Sequence, residues 1–287
     1  MEEPSLFYKF VTFERKDILE RGLIRYTPAL DFNDPFELNP IITPLSKRFI
    51  EYESSLSKDE KASLFFSEED YKYSSDRCDQ IATYKAKFDI EIAKQGILSL
   101  SSNNKINPLL TVTIPDKSDP RTNLLMWSHY ADSHKGFVIE FENGFVQGAT
   151  VKKVNYSEIR HCITFEDIEE NNFGNIFFKK SSEWCYEQEY RSILPLNKAH
   201  EIDKDNVHLF KINKKKVKSI TFGSRMSEEN KETVMNIIKL DPEYSINQFI
   251  HAYLDKNDYI LNFYGEVGCL TNNPENQSKY CPNQKKF

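Results

Sequence analysis

The 287 residues predict an α+β protein: one domain on a mostly antiparallel sheet, with a helical insertion near residues 44–95. Three observations carry this prediction. Short runs rich in β-branched and aromatic residues recur along the chain, bounded by Gly, Asn, Asp and Ser. Residues 44–95 instead place Leu, Phe, Tyr and Ile at helical spacing among Lys, Glu, Asp and Ser, with no proline after Pro44. No repeat or interior linker divides the sequence, so residues 1–271 read as a single domain and 272–287 as a polar tail.

Taken in order, Leu6–Val11 is β-rich, and Phe13–Arg21 is a short helix closed by Gly22 at the C′ position. Leu23–Thr27 is a second strand, followed by the turn cluster Asp31-Phe32-Asn33-Asp34-Pro35-Phe36-Glu37. After the insertion, Gly96–Ser102 and Gly136–Phe141 are strands. Asn103–Ala131 between them reads as a polar loop ending in the aromatic knot Met126-Trp127-Ser128-His129-Tyr130. Val151–Tyr156 is a strand, Ile159–Phe178 holds a helix, and Glu183–Leu194 and Val217–Gly223 are strands. Ser227 caps a helix that runs to Leu240, with Glu228 and Glu229 in its first turn. Phe249–Leu254 and Tyr259–Tyr264 form a closing antiparallel pair around Lys256-Asn257-Asp258.

Composition narrows the function classes. A net charge of −6 argues against coating nucleic acid by charge alone. The 21 Phe and 15 Tyr suit strands and the walls of a ligand pocket. No apolar run approaches the roughly 20 residues that span a bilayer, and Met1-Glu2-Glu3-Pro4 is no secretory signal. Five scattered cysteines form neither a disulfide framework nor a zinc site, so a cytoplasmic location is expected, with no membrane partner. Nine glycines in all leave no Rossmann or Walker loop.

Candidate chemistry centres on Trp184-Cys185-Tyr186-Glu187-Gln188-Glu189-Tyr190-Arg191. On a strand, Cys185, Glu187, Glu189 and Arg191 share one face, with the carboxylates roughly 6 to 7 Å apart. Such a row suits acid–base or cation-stabilising work. The plainer reading is the wet face of an antiparallel strand. Ser99 and Ser101 also share a face, without the nucleophile elbow of a serine hydrolase, and as strand serines they read first as solvent-facing or bonded to a neighbour. His129 and His134 lack a third ligand, so no metal is expected there. The aromatic knot packs a loop or offers a stacking wall to a flat ring. The basic run Lys211–Lys218 reads as a solvated hairpin or edge strand, with a nucleic-acid contact as the minority reading.

Several of these motifs occur in an order that resembles a known family. They are Tyr8-Lys9-Phe10, Phe32–Glu37, Leu98–Ser101, Met126–Asp132, His134–Phe137, Trp184–Arg191 and Ile220–Gly223. Together, over about residues 6–240, they are similar to the uncharacterised bacterial domain-of-unknown-function family 2971. That resemblance implies no activity.

The order of motifs is also similar to that of Arg–Ser–Glu type ADP-ribosyltransferases, which carry a basic residue on the first strand, a Ser-x-Ser strand and a late Glu-x-Glu strand. This second resemblance implies a split-sheet fold with NAD as substrate and no metal. Glu189 then holds the nicotinamide ribose, Glu187 orients the nucleophile, and Ser99 positions Glu189. Lys9 stands where that family has Arg, with Arg25 as a substitute, because lysine cannot fork a phosphate. Ser101, Trp127, His129 and Tyr130 complete the expected NAD contacts.

Three functions follow from this. One is ADP-ribose transfer to a macromolecular acceptor, protein or nucleic acid, by a toxin or phage-defence effector with an immunity or antitoxin partner. The second is NAD hydrolysis with the same residues. The third is a non-catalytic binding module.

Overall fold

The computed structural model describes residues 4–57, 59–60, 69, 72, 77–102, 118–246 and 248–267. The expected polar loop from Asn103, in its part up to residue 117, and the tail at 272–287 lie outside the described residues. So do much of the insertion between residues 58 and 76, and Cys269 and Cys281.

The chain is mixed α/β with mostly antiparallel strand pairing. Its strands begin with β1 (Leu6–Val11), β2 (Leu23–Pro28), β3 (Ile41–Thr43), β4 (Gln95–Ser101), β5 (Phe137–Glu142), β6 (Val151–Lys153), β7 (Asn155–Ser157) and β8 (Cys162–Thr164). They continue with β9 (Lys179–Ser181), β10 (Glu189–Pro195), β11 (Glu201–Asp203), β12 (Val207–Lys211), β13 (Val217–Phe222), β14 (Gln248–Leu254) and β15 (Leu261–Val267). The described parts of residues 1–21, 104–145 and 213–287 form one compact unit, and those of 22–103 and 146–212 form a second.

In the first unit β1 pairs antiparallel with β5 and β5 with β13. The β13–β14 pair is parallel, and β15 returns antiparallel to β14. Helix Glu228–Leu240 begins where the sequence predicts, because the Ser227 hydroxyl accepts the free Asn230 N–H. Val234 and Ile238, one turn apart, face inward. Gly136 and Gly223 permit a close backbone approach: a Cβ on Gly136 would stand 2.1 Å from the Val11 carbonyl oxygen, and one on Gly223 would stand 2.2 Å from that of His134.

In the second unit β12 joins β11 to β2, β2 meets β4 at Thr27–Pro28, and β4 runs antiparallel to β10, which also holds β6. Helix Ile81–Ile92 buries Tyr84, Phe88 and Ile92, spaced four apart on one stripe. Tyr84 stacks on Phe165 at 3.8 Å between ring centres, and Phe88 meets Phe173 edge-on. Each such side chain contributes about 1.5–3 kcal/mol by leaving water, so this core fixes β4 and its neighbours from one side.

Local chemistry overrides the sequence reading at several places. Glu183–Leu194 is not one strand: Ser182–Glu187 is a 3-10 turn, Gln188 is left-handed at φ 48°, and only Glu189–Pro195 is extended. The knot at 126–130 is not loop but helix Leu124–Tyr130, capped by the Asn123 side chain on the Leu125 N–H. Val151–Tyr156 divides into β6 and β7, which pair with different strands. The lysine run is no edge strand, since β13 has a partner on each side. Nor is it a free basic strip: Lys214 meets Asp241, while Lys216 and Lys218 meet Glu142.

Candidate functional site

The carboxylates of Glu187 and Glu189 do not lie in bulk water. Both are buried, as is Arg191, so the wet-face reading of this segment fails. What joins them is the left-handed turn at Gln188. Its N–H reaches the Cys185 carbonyl, and its own carbonyl accepts the Ser102 N–H at 3.1 Å. The reversal folds Glu187 back beside Glu189, rather than one pleat along the same strand.

Lys180, on β9, binds both acids. Its Nζ lies 2.6 Å from Glu187 Oε2, 3.1 Å from Glu189 Oε2 and 3.7 Å from Glu37 Oε2. Arg191 holds the other side of Glu189 with a fork, Nε to Oε1 at 2.7 Å and Nη2 to Oε2 at 3.0 Å. The same guanidinium donates to the Phe177 carbonyl at 2.8 Å and to Glu37. Tyr156 accepts the Glu189 backbone N–H at 2.8 Å through its hydroxyl oxygen. The Ser99 hydroxyl donates to the Glu189 carboxylate. This bond is diagonal across the ladder, because Glu189 is in register with Ser101 and Arg191 with Ser99.

Three buried carboxylates face two cations in this cluster, a surplus of one negative charge when all three are ionised. Burial raises the Glu189 carboxyl above the usual carboxylate range, against the pull of Lys180 and Ser99. Burial likewise works against the charge on Lys180, but Glu189 and Glu187 outweigh it and hold the ammonium above the lysine range. Burial also draws down the Arg191 guanidinium, which the nearby Asp34 charge supports. Arg191 stays charged, because two carboxylates face its N–H groups. A cluster of this kind can steady a developing positive charge in a dry, preorganised setting.

The sequence-predicted residues fall into two sets. Glu187, Glu189, Ser99, Ser101 and Arg25 belong to the second unit; Lys9, Trp127, His129 and Tyr130 belong to the first. Ser101 is buried opposite Glu189. Arg25, on β2, lies 3.9 Å from Asp31, and its Nε is buried without a hydrogen-bond acceptor. Lys9 is half-buried on β1, opposite Ile139. Trp127 offers no stacking wall. It is fully buried, in a T-shaped contact with Phe10, stacked with His134, and its indole N–H donates to the Arg121 carbonyl at 2.7 Å. His129 and Tyr130 are exposed at the end of that helix. Among the described residues, no group of three or more His, Cys, Asp and Glu side chains could hold a metal ion.

Sequence reasoning missed Lys180, Glu37 and Tyr156. Glu37 closes a turn cluster already marked by two phenylalanines, and an acid placed there was a usable signal. Lys180 lies two residues beyond the stretch Ile159–Phe178 that reads as holding a helix, and nothing in its spacing points to Glu187.

The first unit holds a second buried ionic group. Arg121 pairs with Asp119 at 2.7 Å, lies over the Tyr8 ring at 4.7 Å and stands 3.9 Å from Glu140. Glu140 accepts from Ser219, and burial pushes the Tyr8 phenol well above its usual range. Tyr8, Glu140 and Ser219 share one transverse row across β1, β5 and β13, which fits a role in fastening that sheet.

Compared with known proteins, the chain matches one family model, described as "Protein of unknown function (DUF2971)", over residues 126–192. That segment runs from Met126, next to the buried Trp127, to Ser192 on β10, and so contains Lys180, Glu187, Glu189 and Arg191. No curated protein and no solved structure matches the chain. No helix among the described residues is long and apolar enough to cross a membrane.

Proposed function

We propose that the second unit carries an NAD-dependent ADP-ribosyltransferase site centred on Glu189, with a macromolecule as acceptor. The observation that carries this reading is the Ser99 hydroxyl on the Glu189 carboxylate across β4 and β10, with Glu187 beside it. The antiparallel pairing of β4, which bears Ser99 and Ser101, with β10, which begins at Glu189, supports the split-sheet expectation that accompanies it.

In this reaction the bond between nicotinamide and ribose C1′ breaks, and nicotinamide leaves neutral with the bonding electrons. The ribose carbon carries oxocarbenium character until an acceptor oxygen or nitrogen bonds to it. Glu189, in a cluster of surplus negative charge, faces that developing cation. Glu187 aligns the acceptor and takes its proton. Arg25 meets the diphosphate, and its Nε without an acceptor supports that role over Lys9.

Lys180 and Arg191, which occupy the carboxylates, favour a second reading in which the cluster only fastens strands and the protein binds a partner without turnover. Incubation with NAD labelled in the ADP-ribose moiety separates the outcomes. Label on protein or nucleic acid is the expected result. Free ADP-ribose alone makes water the acceptor, and intact NAD leaves the binding reading.

A further inference from the structure

Lys180 stands where a bound cation would sit, and the geometry points to a binding site for a flat organic cation that Lys180 itself fills in the resting protein. Its ammonium nitrogen lies within 3.1 Å of carboxylate oxygens of both Glu187 and Glu189. The same nitrogen lies 4.9 Å from the centre of the Trp184 ring, and Tyr186 lies 6.1 Å from Trp184. Carboxylates on one side and an aromatic face on the other are the elements that recognise pyridinium and quaternary ammonium groups. Here the lysine supplies the cation.

The two cations of the cluster are not held alike. Arg191 is fully buried, forked to Glu189 and tied to the Phe177 carbonyl, so it is part of the frame. Lys180 hangs from a three-residue strand whose only partner among the described strands is β7. Its ammonium ends a flexible stem, whereas Arg191 ends in a rigid planar fork. Trp184 and Tyr186 are only half-buried, which leaves ring surface open to a ligand at the edge of the cluster.

When Lys180 swings out, Glu37, Glu187 and Glu189 remain against Arg191 alone. An entering planar monocation restores the balance and gains the Trp184 face. The site therefore opens only against a ligand that brings its own positive charge; a neutral ring of the same shape cannot replace the ammonium. This deepens the NAD reading, since the nicotinamide ring of NAD is such a cation, but the exchange is testable without turnover.

The test uses the full chain with 1-methylnicotinamide as the cation and nicotinamide as its neutral counterpart. Lysine reactivity is read by trace acetylation with acetic anhydride. Saturating 1-methylnicotinamide is expected to raise acetylation of Lys180 several-fold, with exposed Lys153 unchanged, while nicotinamide has no effect. Lys180→Met is expected to bind 1-methylnicotinamide about tenfold more tightly than wild type, having no resident cation to displace. Unchanged Lys180 reactivity in wild type overturns the proposal, and so does a folded Lys180→Met that binds no tighter. If that variant fails to fold, the wild-type acetylation result decides alone. Nicotinamide release from NAD is measured in parallel. Displacement without turnover keeps the cation site and removes the transferase; turnover with Lys180 unmoved does the reverse.

Discussion

Arg191 is the residue on which the buried acids depend. Its guanidinium reaches Glu189 with two bonds, Glu37 with another and the Phe177 carbonyl with a fourth, from a position with no solvent exposure. Arg191→Met would leave Glu37 and Glu189 with Lys180 alone, and a broken buried pair of this kind costs about 3–5 kcal/mol. Arg191→Lys restores the charge but not the fork, so it recovers only part of that loss. Urea unfolding of both variants checks the ordering; equal stability of wild type and Arg191→Met would contradict it.

A second residue-scale effect concerns pH. Burial, then the charge of Arg225, hold the His134 imidazole below its usual range, where its ring stacks on Trp127. The native protein keeps this ring neutral at a pH where the unfolded chain has already taken a proton. Stability therefore falls as pH drops below the unfolded value of about 6.5. His161, lowered by burial and Lys179, acts in the same direction. His134→Phe keeps a flat ring on Trp127 without the proton. Its unfolding midpoint is expected to decline less than that of wild type between about pH 7 and 5.

At the scale of elements, the turn at Gln188 sets the site. A straight strand through 183–194 would space Glu187 and Glu189 along one face; the left-handed residue instead brings both within reach of one lysine. Gln188→Gly fits φ 48° without strain and is expected to keep stability. Gln188→Val places a branched side chain there and is expected to cost about 1–2 kcal/mol. Thermal unfolding of the pair reads the difference, and an equal effect of Gly and Val would show that the turn does not matter.

The same segment shows what a sequence can and cannot display. Strands β1, β2, β4, β5, β13, β14 and β15 were legible because each combines β-formers with turn residues at its ends. The helix after Ser227 was legible from its cap. The turn at 182–188 was not: Trp184, Tyr186 and Tyr190 are strand formers, while the turn is held by Lys180 on Glu187 and by the Ser102 N–H, far back in the chain, on the Gln188 carbonyl. The Ser99–Glu189 contact was readable as a relation between motifs, while Lys180 and Glu37 needed the fold. Trp127 misled for a related reason, since composition cannot tell a ring packed on Phe10 and His134 from one open to a ligand.

Across the whole molecule, each compact unit buries its own ionic group, Asp119–Arg121–Glu140 in the first and Glu37–Lys180–Glu187–Glu189–Arg191 in the second. The two differ in chemical potential. In the first, Arg121 and Ser219 occupy the acids, and the surrounding groups are Tyr8 and Trp127, both buried. In the second, a serine bears on one carboxylate, a flexible lysine bridges two, and half-buried aromatic rings stand beside them. Only the second sets half-buried aromatic rings beside its acids, and the proposed chemistry rests on that difference.

Nicotinamide release from NAD by wild type and by Glu189→Gln, each shown to be folded by its unfolding curve, tests that assignment most directly. The account predicts turnover in wild type and a loss of about 10²–10³-fold or more in the variant, the scale on which a preorganised charge acts at a transition state. Equal release by the two folded proteins, or none by either, would contradict it.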